Sequence, residues 1–367
     1  MKRLLFLVLF LILWLVIPST VRGGLESPAE KMGVLEGIFR PQSLLISGER
    51  VIIAQESKFH VFRLRDLTLL QTFCSEGEGP GELKSVPMIP TTLKRVGRVL
   101  VAEGMNKIII YTPDQLRVVE EQKKGGMLWN FVPFGGGFLA TRFQPRGGDR
   151  IDVTLFKMSG ELGEAHTLHL QQTVDRDKEI IMLRDAIGFA ILDDKLYVEK
   201  SNLGFVIDVY DAKCQHLFRI KRNDFQPHPL NAAYKRALME NLKNDALIKR
   251  IAKARGGWDS FAKETTFTFP DYLPSIRAIK AWNGRLYVLT HNGGYNEAEM
   301  LILEAGGKMV ARNRVPYTPS PYFSTNALGK SIELWDVGPG GYYFLRPEGD
   351  EDEWQLYRCA QVAGMHP

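Results

Sequence analysis

Six residues of this chain join a coordinating or hydrogen-bonding side chain to a loop position: Glu82, Glu103 and Asn106, then His291, Asn292 and Tyr295. Carboxylate and amide oxygens are the donors that calcium takes. The last three stand in a glycine-containing loop, His291–Asn296, where an imidazole, an amide and a phenol could grip a polar ligand. The set has two readings. It is the ligand-binding surface of a protein without catalytic chemistry, or it surrounds calcium in a metal-assisted hydrolase or lyase. No G-x-S-x-G, no H-E-x-x-H and no recognisable Cys–His spacing accompanies it.

Other constellations carry less. The stretch Glu76-Gly77-Glu78-Gly79-Pro80-Gly81-Glu82-Leu83 could cradle an anion on its backbone amides, but the Lys84-Ser85 that follows is separated from the last glycine by two residues, off the spacing of a phosphate loop, and the glutamates would repel phosphate. It reads as a turn between modules. His166 and His169 differ by an odd number, so on a regular strand they point to opposite sides and form no metal pair. Asp175, Asp177 and Glu179 resemble part of a calcium loop that lacks its glycine and its terminal glutamate. The acidic run Glu348–Glu353 reads as a solvated loop. Cys74, Cys214 and Cys359 have no metal-type spacing and read as buried free thiols.

The elements that must position these groups follow from a recurring phrase: a tight turn, often a basic residue, then three apolar β-formers. It occurs at Gly48–Ile53, Gly97–Val101, Gly137–Ala140, Asp194–Val198, Gly284–Val288 and Gly341–Phe344. Repeats of several short strands at this spacing are the signature of propeller blades. Each phrase is taken as the second strand of a four-stranded meander. The fold class is therefore all-β, a six-bladed β-propeller. The last copy supplies only three strands, near Ile332–Val337, Gly341–Leu345 and Trp354–Cys359, so the extended segment Met32–Phe39 is expected to add its outermost strand and close the ring. One segment, about 229–263, breaks the β pattern. Tyr234, Ala237, Leu238 and Leu242, then Leu247, Ile248, Ile251 and Ala252 after a capping Asp245, predict two short amphipathic helices between the fourth and fifth blades. Their basic residues, among them Lys235, Arg236, Lys243, Lys249 and Arg250, are expected in water, with the apolar faces packed on the strands.

The N-terminus reads as a signal peptide over residues 1–23, with cleavage after Gly23. Lys2 and Arg3 precede an apolar run, Leu4–Ile17, of about 14 residues, short of the roughly 20 a spanning helix needs. The remaining chain, 24–367, forms one domain without a further membrane span. The formal net charge of +5 falls to +2 without Lys2, Arg3 and Arg22. That is no electrostatic footprint for nucleic acid.

The glycine-rich stretch after a first blade, and Asn283-Gly284-Arg285-Leu286-Tyr287-Val288 after Tyr272-Leu273-Pro274-Ser275-Ile276, resemble the bacterial exported six-bladed β-propeller family related to NHL-repeat proteins. The resemblance implies export to the periplasm or the exterior. Wider relatives of that family include calcium-dependent lactonases and an amidating lyase, but no motif here matches those enzymes residue by residue. The expected activity is that of a monomeric binding module, NHL-like in its repeats, for a protein, small-molecule or glycan ligand. Cofactors are none, or calcium under the alternative reading.

Overall fold

Several copies of the recurring phrase begin at a two-residue hairpin turn of left-handed backbone. Asn283 and Gly284 have φ of 46° and 72°, and Gly135 and Gly136 have 55° and 74°. Paired left-handed residues match the right-handed twist of the strands they join, and glycine adopts them without a Cβ penalty. Asp193 and Asp194 make the same turn at φ of 49° and 56°.

The computed structural model describes residues 28–85, 91–125, 128–147, 150–159, 165–174, 179–183, 187–318, 334–348 and 353–360. The expected signal peptide, Asp175, Asp177 and residues 349–352 of the acidic run lie outside the described residues.

Six four-stranded antiparallel sheets follow one another along the chain. The first comprises Ser43–Ser47, Arg50–Gln55, Lys58–Arg63 and Leu69–Phe73. The second comprises Thr92–Val96, Val99–Glu103, Lys107–Tyr111 and Val118–Lys123. The third runs from Leu128–Phe134 to Ala165–Val174, the fourth from Phe189–Leu192 to His216–Lys221, and the fifth from Ala278–Trp282 to Met309–Pro316. The sixth takes Trp335–Gly338, Gly341–Glu348 and Glu353–Cys359 from the end of the chain and Glu30–Val34 from its beginning. That N-terminal strand pairs antiparallel with Glu353–Cys359, Glu30 opposite Arg358 and Val34 opposite Gln355. It is shorter than the expected Met32–Phe39, because the chain turns away at Glu36-Gly37.

Burial explains why the second strands are the readable ones. Arg50–Gln55 and Arg285–Thr290 are buried along nearly their whole length, as strands covered on both faces must be. The fourth strands Leu69–Phe73 and Val118–Lys123 are mostly exposed. The apolar cores lie between neighbouring sheets. One joins the first sheet to the second, another the second to the third and fourth, and further ones join fourth to fifth and fifth to sixth. A last one packs Tyr343, Leu345 and Leu356 of the sixth against Leu44, Ile46 and Val51 of the first.

Between the fourth and fifth sheets lie three helices, α1 (Ala232–Asn244), α2 (Ala246–Ala254) and α3 (Trp258–Glu264). The third is additional to the two expected; at seven residues, after Gly256-Gly257, it offers little periodicity to read. Asn231 caps α1 by accepting from Tyr234 N at 2.9 Å, and Asp245 accepts from Ile248 N at 3.0 Å at the start of α2. Tyr234, Leu238, Leu242, Ile248, Ala252 and Phe261 form a separate apolar cluster, while Arg236, Lys243, Lys249 and Arg250 are exposed. No helix among the described residues is long and apolar enough to cross a membrane.

Candidate functional site

The leading strands of all six sheets, or the residues just before them, contribute to the wall of one cavity of about 120 Å³. Among the described residues its polar lining is Ser43, Thr92, Lys94, Arg95, Asn130, Lys280 and Asp336. Lys94 and Arg95 are successive residues of one strand, so their side chains leave it in opposite senses. Lys94 Nζ reaches forward to donate to Asn130 Oδ1 of the third sheet, and the Arg95 guanidinium reaches back to the Ile46 carbonyl of the first. Asn130 has φ 51° and sits where the register slips between Trp129 and Val132, a bulge that turns its amide toward the lysine.

Lys280 bridges the fifth sheet to the sixth. Its Nζ donates to the Trp335 carbonyl and, at 3.2 Å, to Asp336 Oδ1, and it lies 4.7 Å from the centre of the Trp335 ring. Asp336 then links the sixth sheet to the first by accepting from Ile46 N at 2.7 Å. Among the described residues the wall therefore holds three cations and one carboxylate. Thr92 is 3% exposed and its Oγ1 has no hydrogen-bond partner.

The six residues singled out from sequence occupy two other places, and none of them lines this cavity. Glu82 and Asn106 belong to the fastening of the connector between the first and second sheets, and Glu103, near them at the end of a second-sheet strand, reaches instead to the third sheet. Glu82 Oε2 accepts from Gly79 N at 2.8 Å, and Glu121 Oε1 accepts from Gly81 N. The chain's own carboxylates thus fill the glycine amides that an external anion would need. Lys107 Nζ completes the fastening by donating to Gly79 O and Glu121 Oε2, at 2.6 and 2.5 Å. Glu103, largely buried, accepts from Lys124 Nζ at 2.9 Å and from Phe131 N at 3.1 Å. Asn106 Oδ1 accepts from Lys84 N at 3.0 Å. Two-residue parallel strands, Ser75–Glu76 and Glu82–Leu83, bracket the turn, a local pairing the glycine pattern conceals.

His291, Asn292 and Tyr295 lie under the helices. Tyr234 of α1 meets His291 Nδ1 through its hydroxyl at 2.9 Å and stands edge-on to the Tyr295 ring at 5.3 Å. Asn292 N donates to Thr290 Oγ1 at 3.1 Å. The Tyr295 hydroxyl is buried without a partner. Burial pushes the phenols of Tyr234 and Tyr295 well up, the nearby phenol adding to the effect at Tyr295, so both are protonated near neutral pH. No hydrogen bond or ion pair among the described residues joins this group to Glu82, Glu103 or Asn106. Nor do three His, Cys, Asp or Glu side chains gather anywhere among those residues in a way that could hold a metal ion.

His166 and His169 depart from the expected alternation. A register shift between Leu155 and Phe156 inserts an extra residue, so His166 stands opposite Lys157 and His169 opposite Leu155, on one side of the sheet. His169 is held below the ordinary imidazole range by burial and by the Lys200 charge, with Asp208 opposing. The three cysteines are free.

Sequence reasoning missed Lys94, Arg95, Asn130, Lys280 and Asp336. The available signal was a charged or amide residue inside a leading strand whose neighbours are buried, as in Thr92-Leu93-Lys94 and Ala278-Ile279-Lys280.

No family model and no curated protein matches the chain, so the likeness to NHL-repeat proteins is a resemblance of the quoted motifs alone. Among solved structures, the chain is similar to an exported protein of Bacteroides fragilis, at 9% identity and a TM-score of 0.45, over 92% of this chain and 96% of that one. It is also similar to a DUF4221-family member from Bacteroides vulgatus, at 10% identity and a TM-score of 0.43, over 92% and 97%. BamB from Moraxella catarrhalis matches at 9% identity and a TM-score of 0.29, over 86% and 71%. These are distant likenesses, and neither a blade count nor a function follows from them.

Proposed function

We propose that the chain is an exported six-bladed β-propeller, closed by its N-terminal strand, and that it works as a binding module taking its ligand into the axial cavity. The carrying observation is that all six leading strand regions contribute to one cavity whose lining includes charged residues. The cyclic order of the apolar cores supports the closed ring, as does the pairing of Glu30–Val34 with the last strand. The axis is preferred to the connector face because its wall draws on all six sheets, whereas Glu82, Glu103 and Asn106 lie apart from His291 and bond to other partners. The calcium-dependent enzyme has no comparable carrier, since no ligand cluster gathers among the described residues. The leader-like N-terminus and the family resemblance support export.

A thermal-shift panel of small metabolites, sugars and short peptides tests this reading. At least one class is expected to raise the melting temperature of the purified protein by several degrees, because a ligand that binds only the native state stabilises it by mass action. Ala281, which lines the cavity, offers the control: Ala281→Phe should abolish the shift while the circular dichroism spectrum is unchanged. A panel without any response, or a response that survives Ala281→Phe, overturns it.

A further inference from the structure

Resting on the reading that the axial cavity is the binding site, we infer that its ligand is a compact oxyanion, a carboxylate or phosphate group seated among Thr92, Lys94, Arg95 and Lys280. Four observations converge. Among the described residues the lining carries three cations against the single carboxylate of Asp336, and counting the Glu199 carboxylate, which lies against Gly188 of the wall, still leaves positive charge in excess there. Apolar wall atoms beside such charges concentrate the field and raise the local concentration of the opposite charge.

The Asp336 carboxylate is itself committed, one oxygen to Ile46 N and the other to Lys280, which turns the site away from cationic ligands. The Ile46 carbonyl takes one N–H of the Arg95 guanidinium, a fork with five donors that matches carboxylate and phosphate geometry. The Thr92 hydroxyl is buried in the same wall with no partner, a donor whose acceptor has yet to arrive. A cavity of about 120 Å³ suits a compact group and not a folded partner.

The cations also clasp neighbouring sheets, so the test must separate clasp from site. Inorganic phosphate and succinate are titrated against sodium chloride at matched ionic strength, following melting temperature and heat of binding of the purified protein. At least one is expected to raise the melting temperature by several degrees over chloride. Lys94→Gln and Lys280→Gln should each weaken binding about tenfold or more, by analogy with charge-assisted hydrogen bonds. Thr92→Val keeps the side-chain shape and has no clasp to lose. It should weaken binding about fivefold while its melting temperature in chloride stays level or rises. Response to phosphate alone assigns a phosphate group, and response to succinate alone a carboxylate. No shift beyond chloride from either anion overturns the inference, as does a full shift retained in Thr92→Val and Lys94→Gln. Should a neutral sugar bind and be lost in Ala281→Phe while both anions fail, the oxyanion falls and the axial binding site stands. Should nothing bind, both fall.

Discussion

Glu103 shows how a plausible ligand residue can be committed elsewhere. Its carboxylate satisfies Lys124, whose side chain is 2% exposed, and the buried amide of Phe131. Replacing it by glutamine leaves a buried ammonium without its counter-charge, which costs about 3–5 kcal/mol. Urea denaturation of Glu103→Gln is expected to register a loss of that order with or without calcium; a loss that appears only when calcium is present would restore the metal reading. Asp208 gives the pH prediction. Burial alone would raise its pKa, but hydrogen bonds from Arg219 and Lys200, with their charges, outweigh that and hold the carboxyl well below the usual range. A depressed native pKa contributes stability that is present above the unfolded value of about 4 and is lost as pH falls from there toward the native value. Stability measured from pH 7 down to 2 should therefore decline below about 4, and Asp208→Asn should flatten that part of the curve.

At the scale of elements, the helices and the loop they cover behave as one unit. Tyr234 and His291 lie 57 residues apart in the chain and meet through one hydrogen bond at 2.9 Å. Tyr234→Phe keeps the ring packing on Tyr295 and removes that bond, at a cost of about 1 kcal/mol. Hydrogen exchange should accelerate in α1 and in residues 291–296 together, while the second strands keep their protection. Acceleration confined to α1 would mean that the loop is ordered independently. The helices were legible because Tyr234, Leu238 and Leu242 recur at helical spacing. That they rest on His291 was not, since no local pattern pairs residues so far apart. The connector was legible as a turn, but the use of Glu82 and Glu121 to fill its amides depends on the second sheet bringing Glu121 within reach.

For the molecule as a whole, the proposed closure rests on the pairing of the N-terminal strand with the last one. Glu30–Val34 covers the edge of Glu353–Cys359, and Lys31 and Glu30 add ion pairs to Glu348 and Arg358. Removing residues 30–34 uncovers an apolar strand edge, a template for pairing between chains. The shortened protein should melt several degrees lower and form oligomers in sedimentation; a monomer of unchanged stability would count against the proposed closure. The sequence by itself determined the strands and their turns, because strand period, turn residues and burial on both faces are local properties written into each repeat. It also placed the helical insertion, by the same local periodicity. Only the tertiary structure decided which charges meet. Lys94, Asn130, Lys280 and Asp336 stand on different sheets, and their convergence depends on sheet order and on a bulge at Asn130, neither of which any short stretch of residues encodes.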